Sequence, residues 1–90
     1  MISIRKHPTF TKHFCTRILP SPKLLKRFEE RFGSFCINPQ NPLLFDHPLK
    51  GDKTGKRSFS VSGDIRVVYQ GSIDTEIILL DIGTHNQVYR

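Results

Sequence analysis

A set of side chains in the second half of the sequence is of types that handle protons and phosphates. His47 and His85 carry imidazoles, which titrate near neutral pH and suit proton transfer. Asp64 adds a carboxylate and Tyr89 a phenol, while Arg66 offers a planar guanidinium that can grip a phosphate through parallel N–H bonds. Lys50, Lys53, Lys56 and Arg57 crowd the stretch between His47 and Arg66. Such a cluster contacts phosphates without reading bases, although in most proteins a run of this kind is simply a solvated loop. His7 and His13 stand apart from the group and read as surface or packing residues. The sequence holds no glycine-rich phosphate loop, no Ser-His-Asp spacing and no Cys/His cluster. His47, Asp64 and His85 are irregularly spaced for zinc, and imidazoles without cysteines are a weak metal signal.

These residues need a frame, and strand periodicity supplies one. Ile65 to Gln70 alternates, with Ile65, Val67 and Tyr69 on one face and Arg66, Val68 and Gln70 on the other. Arg57 to Ser62 alternates as well, with Phe59 and Val61 inward, and Gly63-Asp64 turns it into the next strand. Glu76 to Ile82 is almost unbroken in its apolar character and is bracketed by Gly71 and Gly83, which predicts a central strand covered on both faces. Gly83 to Tyr89 then places His85 and Tyr89 just beyond its end. Asp46 to Gly51 reads as a brief strand, and Asp52 to Lys56 as a polar loop.

The first half supplies the cover. Ile2 to Arg5 reads as an edge strand. Phe10, Phe14 and Ile18 recur every four residues after Pro8, and Leu24, Leu25, Phe28, Phe32 and Phe35 make a wider stripe after Ser21-Pro22. Asn38-Pro39 ends the second helix. The aromatic stripe is core, since its spacing is helical and it needs a sheet to pack on. The expected fold class is therefore α+β: an N-terminal strand and a two-helix hairpin packed on a three- to four-stranded antiparallel sheet, as a single domain over residues 1–90.

The totals agree with one small folded domain. Ninety residues with 37% apolar and 24% charged side chains suit one modest core. The net charge of +6 suits a polyanionic partner, nucleic acid or acidic protein, without choosing between them, and fits a solubilising surface equally well. Cys15 and Cys36 lack metal spacing and read as free thiols of a reducing compartment. No apolar stretch approaches the roughly 20 residues of a membrane span, and no secretory leader is evident.

Four segments together resemble the RelE/ParE toxin superfamily, in particular its RelE- and YafQ-like mRNA interferases. They are Leu49-Lys50-Gly51, Gly55 to Phe59, Asp64 to Tyr69, and Gly83 to Tyr89. The resemblance is dense over His47 to Tyr89 and loose over the helices. It implies the toxin of a type II toxin–antitoxin pair, a cytoplasmic, metal- and cofactor-independent endoribonuclease that cuts mRNA, usually on the ribosome. In that scheme the ribose 2′-hydroxyl attacks the adjacent phosphate and leaves a 2′,3′-cyclic phosphate. The resemblance gives His85 the role of general acid or base, Tyr89 that of the aromatic closing the same motif, His47 and Asp64 active-site places, and Arg66 the phosphate. It also implies a cognate antitoxin as partner and no membrane. Ser60 stands where YafQ-like enzymes carry a further histidine, which touches the proton-transfer scheme rather than the fold. Two alternatives stay open: a ParE-like toxin that binds gyrase, against which His85 and Tyr89 argue, and a catalytically inactive RNA- or antitoxin-binding module.

Overall fold

Both long helices begin with a side-chain cap and a proline in the first turn. The computed structural model describes residues 3–49, 55–72 and 74–89. Helix α1 (Pro8–Arg17) is capped by His7, whose Nδ1 accepts the Thr9 amide at 3.1 Å. Helix α2 (Pro22–Ile37) is capped by Ser21, whose hydroxyl accepts the Leu24 amide at 3.3 Å. Proline at these positions has no amide to leave unpaired, and its fixed φ already suits a helix. Asn38 ends α2 in an extended conformation ahead of Pro39. Neither helix, nor any other among the described residues, is long and apolar enough to cross a membrane.

Strands β1 (Ser3–Lys6), β2 (His47–Pro48), β3 (Lys56–Ser62), β4 (Ile65–Gly71) and β5 (Glu76–Thr84) form one sheet in the order β1-β5-β4-β3-β2. Neighbours from β2 to β5 are antiparallel, but β1 runs parallel to β5, with Ser3 opposite Glu76 and Lys6 opposite Leu79. The α+β class stands, while the three or four antiparallel strands expected become a five-stranded mixed sheet. The reason is the crossover: two helices carry the chain away from β1 and back, which a parallel neighbour requires and which residue alternation cannot signal. In consequence β4 is the middle strand, with β5 between it and β1.

β5 also carries a bulge. Val68 lies opposite Asp81 and Tyr69 opposite Leu79, so Leu80 is the extra residue. The side-chain phase switches there, and the buried set runs Ile77, Leu79, then Ile82. Beyond Lys6 the outer edge of β5 loses its β1 partner and is covered by α1 instead. Arg17 donates to the Ile82 carbonyl at 2.8 Å, and His13 bonds the Asp81 carboxylate at 2.6 Å. An open strand edge is thereby closed to stray pairing.

The helices bury one face of the sheet. Phe10, Ile18, Phe28 and Phe35 meet Phe59, Val61, Val67, Tyr69, Ile77, Leu79 and Ile82 in one core. Cys15 and Cys36 are free thiols on exposed positions of α1 and α2.

Two glycines make opposite demands. Gly33 is exposed within α2, and a Cβ there would meet nothing within 4 Å. Gly71 has φ of +101°, and a Cβ there would land on the Glu76 carbonyl oxygen. Gly33→Ala should therefore stabilise the domain by about 0.5–1 kcal/mol, the ordinary helix preference. Gly71→Ala should destabilise it by more than that, because both conformation and space are wrong. Urea midpoints of the two variants check the pair of signs.

Candidate active site

Strand phase leaves one sheet face free of α1 and α2. On it, pairing sets His47 opposite Ser58, Ser58 opposite Val68, and Val68 opposite Asp81, a single row across four strands. The next row is Ser60, Arg66 and Gly83. Arg66 is thus diagonal to Ser58, a relation that separates residues by about 7–8 Å.

A short helix, α3 (His85–Val88), lies over this face and packs on β4 and β5. Its start is fixed by a capping box. The Thr84 amide donates to Gln87 Oε1 at 2.8 Å, and the Gln87 amide donates to Thr84 Oγ1 at 3.3 Å. Val88 is buried beneath it, and Tyr89, next along, donates its hydroxyl to Ser58 Oγ at 2.6 Å. The His85 ring stands edge-on to Tyr89 with centroids 4.4 Å apart. His85 is exposed, and Asp64, in the β3–β4 turn, is exposed too. Both stand one residue past the last ladder pair, Ile65 opposite Thr84.

The groups differ in how they are held. His47 bonds the Phe45 carbonyl through Nδ1 at 2.8 Å. A carbonyl only accepts, so Nδ1 carries the proton and the neutral ring keeps a free lone pair on Nε2. Arg66 is half-buried, and its Nε is buried without a hydrogen-bond partner among the described residues. A buried donor left unpaired costs roughly 1–3 kcal/mol, which an oxyanion placed there would relieve. No group of three or more His, Cys, Asp or Glu side chains among the described residues is placed to hold a metal ion.

His47, Arg66, His85 and Tyr89 are therefore brought to one face, with Asp64 at its rim. Lys56, half-buried, is in phase with Ser58 and lines a cleft of about 230 Å³ on the same face, with His7, Thr9, Val68, Asp81 and Val88. Lys50 and Lys53 lie outside the described residues. Arg57 is parted from the group. It is in phase with Phe59 and donates from Nε to Asp46 Oδ1 at 2.7 Å. Tyr69 donates to the other oxygen of the same carboxylate, whose side chain is only 6% exposed. These three residues line a separate cavity of about 280 Å³ on the helix side.

Ser58, Asp46 and α3 escaped the reading of the sequence. Ser58 reads as one more outward serine, and Asp46 as the first residue of a brief strand. For α3 a signal existed, since Thr84-His85-Asn86-Gln87 has the T-x-x-Q spacing of a capping box.

Burial, then the bond to Asp46, pushes the Tyr69 phenol well above its ordinary value of 10.0, against a smaller opposing pull from Arg57. A raised pKa in the folded state means that the neutral phenol's contribution is intact below pH 10.0 and is lost as pH climbs towards the raised value. Stability of the parent should fall over that alkaline range, and Tyr69→Phe should remove part of the fall. Denaturant melts of both proteins from pH 9.0 to 11.5 would show it, and identical slopes would contradict it.

No protein-family model matches the sequence, and neither does any curated protein. Solved structures do match in shape. A copper-bound mutant toxin from Helicobacter pylori is 28% identical, with TM-score 0.75 and coverage of 98% of this chain and 99% of that one. A mutant of YafQ from Escherichia coli is 19% identical, with TM-score 0.80 and full coverage of both chains. YafQ in the E. coli DinJ-YafQ complex is 20% identical, with TM-score 0.79 and again full coverage of both. This chain has the RelE-like fold of those toxins.

Proposed function

We propose that this RelE/YafQ-like chain is the toxin of a toxin–antitoxin pair and acts as a metal-independent endoribonuclease on mRNA, on the ribosome. The observation that carries the reading is the Arg66 guanidinium. Among the described residues its Nε–H is buried and unpartnered, on the sheet face that also carries His47 and Tyr89, with His85 against the Tyr89 ring.

In this reading Arg66 and Lys56 receive the RNA backbone, and Arg66 holds the phosphate to be attacked. His47, with its proton on Nδ1, takes the 2′-hydroxyl proton at Nε2. The 2′-oxygen then bonds to phosphorus, the P–O5′ bond breaks, and protonated His85 gives its proton to the leaving 5′-oxygen. The products are a 2′,3′-cyclic phosphate and a free 5′-hydroxyl, so protons and electrons balance. Charge gathering on the phosphate oxygens is met by Arg66, an effect worth about 10²–10³-fold when one such donor is removed elsewhere. Asp64 at the rim would orient His85 or the ribose. DinJ binds YafQ in the E. coli complex, which supports an acidic or amphipathic antitoxin as the partner of this basic chain.

His85→Ala should lower RNA cleavage by about 10²–10⁴-fold, the usual cost of losing a general acid or base. Since His85 is exposed, its melting point should hardly move. Arg66→Ala should be similarly damaging, and EDTA should change nothing. Cleavage is read by primer extension on a translated message. Undiminished cutting by His85→Ala, or loss of parent activity in EDTA, would sink the proposal.

A further inference from the structure

Ser58 is the one buried polar residue among those described, with no exposed surface at all. It sits mid-strand between Arg57 and Phe59 in β3, opposite His47 on one side and Val68 on the other. The side chain recorded as reaching its oxygen is Tyr89, at 2.6 Å. We infer that Ser58 is a positioning residue of the site: it anchors the Tyr89 phenol, and through the phenol ring it sets the orientation of His85. The inference rests on the catalytic reading above for its effect on rate, but not for the anchoring itself.

α3 is only four residues long. A helix of that length has no stability of its own, because nucleation costs more than a single turn returns. Its residues are placed by what they touch. The capping box fixes its entry and Val88 its underside, but neither reaches the His85 ring. That ring is edge-on to Tyr89, 4.4 Å between centroids. The Tyr89 ring in turn is tethered at its far end, where the hydroxyl meets a strand that cannot give way. Without the tether the phenol can swing about χ1, and the imidazole loses the surface it rests on.

The test uses the full chain, with Ser58→Ala and Tyr89→Phe each removing the bond from one side. Both should stay folded by far-UV circular dichroism. In NMR spectra the His85 ring signals of both variants should leave their parent positions and move towards those of Tyr89→Ala. In RNA cleavage Ser58→Ala should lower kcat by up to about 10²-fold, the scale of a misplacement near 1 Å, with KM nearly unchanged. The double variant should be no worse than Tyr89→Phe alone, because one bond is being removed twice. Parent-like His85 signals in Ser58→Ala would overturn the anchoring, as would losses that multiply in the double variant. A parent that cuts no RNA would overturn the catalytic reading instead and leave the imidazole signals to decide the anchoring.

Discussion

A continuous line of aromatic rings sets the geometry on which the rest depends. Phe14 meets Phe28 at 4.9 Å between centroids, Phe28 stacks on Phe32 at 5.4 Å, and Phe32 leads to Phe35 at 6.4 Å. Phe35 then reaches the sheet, stacking on Phe59 at 4.5 Å and standing edge-on to Tyr69 at 4.9 Å. Each such pair is worth about 0.5–1.5 kcal/mol beyond the area it buries. The line fixes the helix pair on one side of the sheet, and that alone decides which strand residues face the core and which face the open side. It does not end in hydrocarbon. Tyr69 passes it to the Asp46 carboxylate, which Arg57 holds from the other side. A carboxylate buried that deeply would be costly without both partners. Asp46 stands between Phe45, held at a left-handed φ of 50°, and His47. The core therefore reaches, through one buried acid, the backbone that presents an imidazole to the opposite face.

The two faces use their polar groups differently. On the helix side the buried charge is matched, and Asp46, Arg57 and Tyr69 form a closed set. On the open side satisfaction is incomplete among the described residues: Ser58 and Tyr89 pair with each other, while Arg66 keeps a buried Nε–H without a partner. An unsatisfied donor inside a marginally stable domain is a cost that folding alone would tend to remove. On a face that also carries His47, it is a donor that a ligand's oxygen atom would satisfy.

Much of this was legible from spacing. The helical stripe from Phe28 to Phe35, the inward Phe59 and Val61, and the parity of Arg66 all follow from period, and period is what a buried face imposes. What failed to show has identifiable causes. β1 pairs parallel to β5, and alternation is blind to strand direction. The bulge at Leu80 shifts the phase of β5 between Leu79 and Ile82, which strict alternation does not signal. Grouping Arg57 with the lysines by charge hid what its phase already said, for it alternates with Phe59 and Val61. The tether from Ser58 to Tyr89 joins residues 31 positions apart, and no local pattern announces a contact of that range.

Charge placement follows the same division, and it bears on how a polyanion would meet this chain. The net +6 says nothing of where the carboxylates lie. Asp46 is taken up by Arg57 on the helix side. Asp81 is held by His13 and, more loosely, by Arg17 at the β5 edge, 2.6 and 3.7 Å away. Glu76 faces Arg5 at the far edge, and Glu30 faces Arg27 along α2. Exposed pairs of this kind add little stability, typically under about 1 kcal/mol, but they occupy acids at the edges and on the helices. On the open face itself Arg66 and Lys56 stand with Asp81, already engaged by His13, and with Asp64 exposed at the rim.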